Sequence, residues 1–395
     1  MSIDQIVAGT PDDIAERLVE TFTGLHGRDP VGCFVAPGRV NLIGEHIDYN
    51  DGKCLPMALP HATYAALAAR DDSTVTVTSL QQDKPWRGRL DALGPGDVDG
   101  WPAYVAGVAW ALQQDSVELP GLDIIVDSRV PVGSGLSSSA ALECSVALGL
   151  CAVAGVEVDL AMRRRLVDAC MRAETEVAGA PTGGMDQTVS LLATADHALL
   201  IDCRDWSTEQ VRWDPAGAGL ALLVVDTRAS HSLTDGGYES RRRDCETAAR
   251  ELGVASLRDV EDREKALSSL PEGRVRRRAR HVFTEMARVD EAVAQLHDSD
   301  FEGLGRSFHG SHVSLRDDFE VSSPELDVVV ETACGNGALG ARMTGGGFGG
   351  SAIALVAADA VDVLSEAVAG AFHDRGWPAP GFLQAPPARG AHRLR

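Results

Sequence analysis

Apolar positions along the chain change period several times, and each change predicts an element. From Pro11 to His26, Ile14, Leu18 and Phe22 recur on one helical face, behind Thr10 as cap and with Pro11 at the first helical position. Extended runs follow at 31–38 (VGCFVAPG), 62–70 (ATYAALAAR) and 73–80 (STVTVTSL), where Val75 and Val77 alternate with threonines; they predict a mixed or antiparallel sheet. A helix is expected from Trp101 to Gln113, a strand over 122–128 (LDIIVDS), and then a Gly/Ser loop opening a long apolar helix from Ser137 to Ala154. Helical signal continues through 159–178, while 197–203 (HALLIDC) and 219–227 (GLALLVVDT) read as strands. The clearest stripe joins Val275, Ala279, Val282, Met286, Val289, Val293 and Leu296 on one helix. Its first turns carry Arg274, Arg276, Arg277, Arg278 and Arg280, expected to form a solvated face paired with nearby acids. Ser323 and Pro324 cap a further helix, and 341–358 (ARMTGGGFGGSAIALVAA) is a glycine loop feeding an apolar strand. The charged segment around Asp205 to Pro215 marks the expected division into domains 1–205 and 206–395.

Composition narrows the function classes. The 395 residues carry 36 Lys+Arg against 58 Asp+Glu, a formal charge of -22, which argues against a surface that tracks nucleic acid or an anionic membrane. With 44% hydrophobic and 24% charged residues, the chain has the make-up of an ordinary globular protein, long enough for two domains. Eight cysteines are scattered without a C-x-x-C pair, several within apolar runs, which fits a reducing cytoplasm. The first residues lack a basic start followed by an apolar stretch, and no apolar run approaches the roughly 20 residues of a membrane span. A cytoplasmic protein without nucleic-acid or membrane partners is expected.

Three loops concentrate the chemistry. Ala36 to Gly52 packs Arg39, Asn41, Glu45, His46, Asp48 and Tyr49 between sheet-like runs. Acids that accept from hydroxyls, a histidine of either role and an arginine for a phosphoryl charge would suit a polyhydroxylated ligand; a turn with local hydrogen bonds and a solvated rim is the alternative. Val130 to Leu150 is a Gly/Ser loop entering a helix that carries no charge before Glu143, so Gly133 and Gly135 let backbone amides approach an oxygen-rich anion at a helix N-terminus. Ser139 can reach a phosphate-bound Mg2+, whereas simple capping would account for Ser137 or Ser138 alone. The third loop matches G-x-G-x-x-G through Gly345, Gly347 and Gly350, but a strand follows it where a dinucleotide fold would open a helix, so a loop closing over phosphates or sugar fits better.

Two further segments contribute single residues. Asp186, just beyond Gly183 and Gly184, can serve as a general base or merely cap a helix. Glu174 can complete a magnesium shell with Ser139, and Tyr238 offers a ring edge and a hydroxyl.

In this order and spacing the loops resemble the GHMP small-molecule kinases, and their details resemble the galactokinase branch of that family. Gly38 to Asn50 (GRVNLIGEHIDYN) is similar to the branch's sugar motif, Pro131 to Leu142 (PVGSGLSSSAAL) to the family's phosphate loop, and Met343 to Ser351 (MTGGGFGGS) to its third motif. Similarity runs from about residue 31 to about 358. The resemblance implies an α/β and α+β protein of GHMP kinase fold: an N-terminal domain like ribosomal protein S5 domain 2, a C-terminal α+β domain, and a site in the cleft between them. It further implies transfer of the γ-phosphoryl of ATP to the C1 hydroxyl of galactose, the first committed step of galactose breakdown, by a monomer using Mg2+. Carried over by motif, Asp186 is the base and Arg39 stabilises the transferred charge. Glu45, His46, Ile47, Asp48, Gly183 and Tyr238 bind the sugar. Gly133, Ser134, Gly135, Leu136, Ser137, Ser138 and Ser139 bind the phosphates, Ser79 and Trp101 the far end of the nucleotide, and Ser139 with Glu174 the Mg2+.

Ile47, Gly184 and Ser351 stand where the branch often has Thr, Ile and Cys. Rival readings are an N-acetylgalactosamine kinase and a silent sugar sensor; the intact run Ser137 to Ala140 favours an enzyme over the sensor.

Overall fold

In the computed structural model, which describes residues 3–180, 182–229 and 237–395, fourteen strands form three sheets. Asp235 and Gly236, just ahead of Tyr238, lie outside this description. The six-stranded sheet runs β14 (His392–Arg393), β2 (Gly32–Asn41), β4 (Pro56–Arg70), β7 (Gly121–Ser128), β5 (Thr74–Ser79), β6 (Trp86–Arg89). It is mixed, as expected, because β5 pairs with β7 in parallel while the other pairs are antiparallel.

β4 is apolar almost throughout because both of its faces are covered. Tyr64, Ala66 and Ala68 pack with Ile14, Leu18 and Phe22 of the helix Pro11–His26, whereas Ala65 and Leu67 face a core shared with the helices Pro102–Gln114, Ser138–Val153 and Leu160–Arg172. Side chains alternate across a strand, so two buried faces erase the hydrophobic alternation that a half-solvated strand would show.

The five-stranded sheet runs β1 (Asp4–Gln5), β13 (Gly381–Gln384), β10 (Leu220–Asp226), β12 (Ser351–Ala357), β11 (Gly340–Thr344). A small third sheet joins β3 (Lys53–Cys54), β8 (His197–Asp202) and β9 (Ser207–Arg212). Residue 205 lies in the turn of the β8–β9 hairpin. β1 thus pairs inside the sheet otherwise built from residues beyond 219, and β14 inside the sheet otherwise built from residues before 129. The core beneath the site is continuous across both halves, with Leu42, Ile43 and Ile47 packed in the same cluster as Val289, Phe319 and Met343.

The arginine-rich helix, Arg274–His297, buries the expected apolar stripe. Its cations do face acids: Arg274 pairs with Asp244 at 3.0 Å, Arg277 with Glu320 at 2.8 Å, and Arg280 with Asp318 at 3.0 Å. Arg278 departs from a solvated face, being 1% exposed and bonded to Glu320 and the Asp318 carbonyl. All eight cysteines are free thiols, seven of them buried. Among the described residues no helix is long and apolar enough to cross a membrane.

Candidate active site

The site begins at an irregularity in β2. Its register with β4 shifts between Pro37 and Arg39, a bulge that re-aims the following side chains. Gly38 at the shift is required by crowding, since a Cβ there would stand 2.6 Å from the Leu136 carbonyl. Arg39 emerges just beyond, 7% exposed, and its guanidinium makes two parallel bonds to Asp186, Nε to Oδ1 and Nη2 to Oδ2, both 2.8 Å. Nη1 donates to the Gly135 carbonyl at 2.6 Å. One cation therefore joins β2, the phosphate loop and the helix Met185–Leu192, whose first turn carries Asp186.

The phosphate loop turns on positive φ at Gly133 (77°), Gly135 (76°) and Ser137 (61°) before the helix Ser138–Val153. Ser137 occupies the cap position without capping; its hydroxyl donates to Asp186 Oδ2. Ser134 and Leu136 are nearly fully buried and act through their carbonyls, which accept from the Ser351 hydroxyl at 2.8 Å and the Arg39 amide at 3.1 Å.

A cavity of about 210 Å³ opens beside this junction, with Asn41, Asp48, Gly183, Asp186 and Tyr238 among its walls. Glu45 lies at its edge, both oxygens engaged: Oε2 accepts from buried Arg342, and Oε1 accepts from the Gly345 amide at 3.0 Å and the Thr344 hydroxyl at 3.3 Å. Burial pushes the Glu45 carboxyl up, opposed by Arg342. Glu45 thereby ties the first motif to the third, whose glycine loop joins antiparallel β11 and β12.

His46 is also committed. Burial, then the neighbouring His281, lowers its pKa to about 3, so the ring is neutral. Because the Gly346 carbonyl can only accept, Nε2 carries the hydrogen and donates to it at 3.2 Å, leaving Nδ1 to accept from the Tyr49 hydroxyl at 3.0 Å. Tyr238 packs on this pair, 5.4 Å from each ring centroid. Burial raises the Asp48 carboxyl above its usual range, and Gly183 lies so close that a Cβ there would stand 2.6 Å from Asp48 Oδ2.

Ile47 differs from its two neighbours. Expected among the sugar contacts, it is 0% exposed in the hydrophobic core and does not line the cavity, because the tight turn that sends His46 and Asp48 outward sends an apolar side chain inward. Conversely, Asn41, to which the sequence assigns no role, lines the cavity, and its side-chain amide is fully buried with no partner among the described residues for either Nδ2 or Oδ1. Its spacing of two from Arg39 along a strand was the available signal. Arg342 was missed too; an arginine inside the apolar run of β11 requires a buried acid.

A second cavity, about 220 Å³ and mostly apolar, brings Ser79 and Trp101 together with Tyr104, Ser138 and Ser139. The phosphate loop and its helix line this second cavity, and they reach the first through the bonds of Gly135 and Ser137 to Arg39 and Asp186. Glu174, in a π-helical turn over Ala173–Val177, hydrogen-bonds Ser139 and accepts from Gln187 Nε2 at 2.6 Å. Burial raises its pKa to about 7. Hard oxygen donors and a desolvated carboxyl fit a Mg2+ held by one or two protein groups plus phosphates. Among the described residues no cluster of three or more His, Cys, Asp or Glu side chains could hold a metal ion.

Comparison with known proteins agrees with this architecture. Residues 20–69 match the galactokinase galactose-binding signature, 103–194 the GHMP kinases N terminal domain and 292–374 the GHMP kinases C terminal model. The chain is 49% identical to the galactokinase of Streptomyces coelicolor over 385 residues, covering 96% of this chain and 99% of that one. It is 44% identical to that of Mycobacterium tuberculosis strain H37Rv, covering 91% and 98%. The crystal structure of Lactococcus lactis galactokinase complexed with galactose superimposes with a TM-score of 0.90 at 31% identity, covering 96% of this chain and all of that one. Methanococcus jannaschii mevalonate kinase, at 15% identity and a TM-score of 0.63 over 92% of this chain and 98% of its own, shares the fold. The chain belongs to the galactokinase family of GHMP kinases.

Proposed function

We propose that this galactokinase family member transfers the γ-phosphoryl group of ATP to the C1 hydroxyl of α-D-galactose, with Asp186 as base. The observation that carries the reading is the joint of Arg39, Asp186 and Gly135, which sets a carboxylate, a guanidinium and the phosphate loop at one point beside a sugar-sized cavity. The galactose in the related Lactococcus lactis structure supports the sugar's identity. As the C1 oxygen attacks the γ-phosphorus, its proton passes to an Asp186 oxygen, the bond from the γ-phosphorus to the β-bridging oxygen breaks, and ADP leaves. Arg39 lies where negative charge spreads over the transferring group.

Asp48, Tyr238, the Gly183 backbone and the unspent amide of Asn41 present polar groups to the sugar hydroxyls. Glu45 and His46, both already bonded within the protein, shape the pocket by fixing the third loop. The amides between Gly133 and Ser139 cradle the phosphates, and the cavity at Ser79 and Trp101 takes the adenosine end. Ser139 and Glu174 would hold a Mg2+, which when bound neutralises charge between the β- and γ-phosphates. The division of labour between two domains, 1–205 and 206–395, and a cytoplasmic monomer complete the reading.

A coupled ADP-release assay across galactose, glucose, mannose and N-acetylgalactosamine tests it. Turnover is expected with galactose and is expected to fall by about 10²- to 10⁴-fold in Asp186→Asn and Arg39→Ala, with ATP still bound. Preferred turnover of the 2-acetamido sugar, or wild-type rates in Asp186→Asn, would overturn it.

A further inference from the structure

Away from the cleft, residues 389–393 lie against the helix Leu160–Arg172 and the end of the helix Met185–Leu192, leaving two cavities of about 450 and 350 Å³ that share Val158, Arg163 and Arg389. His392 and Arg393 line the smaller one. This is a concentration of cations in a chain of net charge -22.

Elsewhere in the molecule, several buried or half-buried arginines face acids, Arg39 facing Asp186, Arg70 Asp123, Arg258 Asp202 and Arg342 Glu45, although Arg241 and Arg263 donate to backbone carbonyls. Here neither half-buried Arg163 nor exposed Arg389 faces an acid. Arg163 donates Nη1 to the carbonyls of Leu191 at 2.7 Å and Ala391 at 2.8 Å, which fixes the guanidinium and leaves its other edge unspent. Arg389 makes no hydrogen bond or ion pair among the described residues. Arg393 bonds the Val31 and Arg395 carbonyls and stacks on Phe34. His392 donates to the Gly390 carbonyl at 2.9 Å through Nδ1, leaving Nε2 open. The one carboxylate in the wall, Asp159, accepts from the Met162 amide at 2.7 Å as a helix cap.

The electrostatics agree. Burial, then Arg389, lowers the Arg163 pKa, and burial with Arg389 and Arg163 lowers that of His392; no carboxylate contributes to either shift. Arg163, half-buried beside a second cation and without an acid, is favoured by an anion that joins it, and a guanidinium with a free edge binds phosphate through two parallel bonds. Two uncompensated guanidiniums suit a dianion better than a carboxylate, and Leu160, Leu191, Leu192 and Phe34 supply apolar walls for an ester body.

We propose that Arg163 and Arg389, with His392 beside them, form a second anion site, separate from the catalytic cleft, for a phosphate dianion, either free or as a monoester. The site abuts the last turn of the helix whose first turn carries Asp186.

Isothermal titration of the full-length protein with inorganic phosphate, with ADP and galactose saturating the cleft, tests the site. Saturable binding is expected in the parent protein and in Arg389→Lys, at least tenfold weaker in Arg389→Ala and absent in Arg389→Glu. Galactose phosphorylation in phosphate-free buffer should stay unchanged in all three, which also shows that each variant folds. Titration with galactose 1-phosphate separates the sources: tighter binding than inorganic phosphate identifies a sugar ester, and equal binding a free anion. No saturable binding in the parent, displacement by chloride at equal ionic strength, or parental affinity in Arg389→Glu would each overturn the proposal.

Discussion

The hydroxyl of Ser137 donates to Asp186 Oδ2 across 49 positions of sequence, although Ser137 stands where a serine ordinarily caps the helix that follows. The left-handed backbone at Ser137, φ 61°, turns the side chain away from the helix amides and toward the carboxylate. The exposed start of the helix stays open to a phosphate, while the base is held from two sides, by Ser137 and by Arg39.

Ser137→Ala should therefore act on the base more than on the fold. A hydrogen bond to a charged group contributes about 1.5–3 kcal/mol, which corresponds to a drop in kcat of roughly 10- to 100-fold. Thermal stability should change little. Steady-state kinetics beside a melting curve check this; an unchanged kcat would mean that Ser137 does not orient Asp186 during turnover.

Gly183 has no room for a side chain. The Cβ of Gly183→Ala would meet Asp48 Oδ2 at 2.6 Å, and the carboxylate would have to move away from the cavity. We expect KM for galactose to rise about tenfold or more, with a smaller change in KM for ATP, on the scale of one displaced polar contact. Equal effects on both substrates would place the disturbance elsewhere.

Ser139 and Glu174 give a magnesium prediction. Ser139→Ala and Glu174→Gln should raise the Mg2+ concentration for half-maximal rate, the second more strongly, because it removes charge as well as a ligand. Titrating Mg2+ at fixed ATP decides, and coincident curves would remove the pair from the metal shell.

His281 supports the site from beneath, donating Nε2–H to the Glu45 carbonyl at 3.1 Å and accepting from the Ser314 hydroxyl at 2.9 Å. Burial lowers its pKa to about 4. The unfolded chain takes up this proton near pH 6.5 while the folded protein refuses it, so the stability it contributes is present above pH 6.5 and is lost as pH falls toward 4. Glu174, raised to about 7, changes stability in the opposite sense over part of that range, so a difference measurement is needed. The stability gap between the parent and His281→Asn should narrow by about 2 kcal/mol from pH 7 to 5 in urea titrations. A gap that stays constant would show that His281 titrates as it does in the unfolded chain.

Local features of this molecule could be read from residue order, and distant pairings could not. The helices at 11–26 and 274–297, the strands around 62–70 and 122–128, and the loop-to-helix passage at 133–139 each follow from a period or a run of glycine and serine. Candidate chemistry was legible for the same reason, since Arg39, Asp48, Asp186 and Glu174 all meet at one cavity. Ile47 is expected among the ligands only because the motif carries it there with its neighbours; the turn between Glu45 and Asp48 sends its apolar side chain into the core, which residue order alone does not state. The bond between Glu45 and Arg342 spans 297 positions, and nothing in either segment specifies the other.

The exchange of end strands bears on how the chain reaches its native form. Because β14 completes an edge of the sheet led by β2, that sheet cannot acquire its full hydrogen-bonded register until residues 392–393 have been made, whereas β1, made first, must stay unpaired until the sheet led by β10 forms. Such long-range closure slows folding relative to a chain of local contacts and exposes sheet edges in the interval. The two halves are thereby fastened to each other at the edges remote in sequence, so the sheets that flank the cleft become a single cooperative unit only when residues 392–393 have docked.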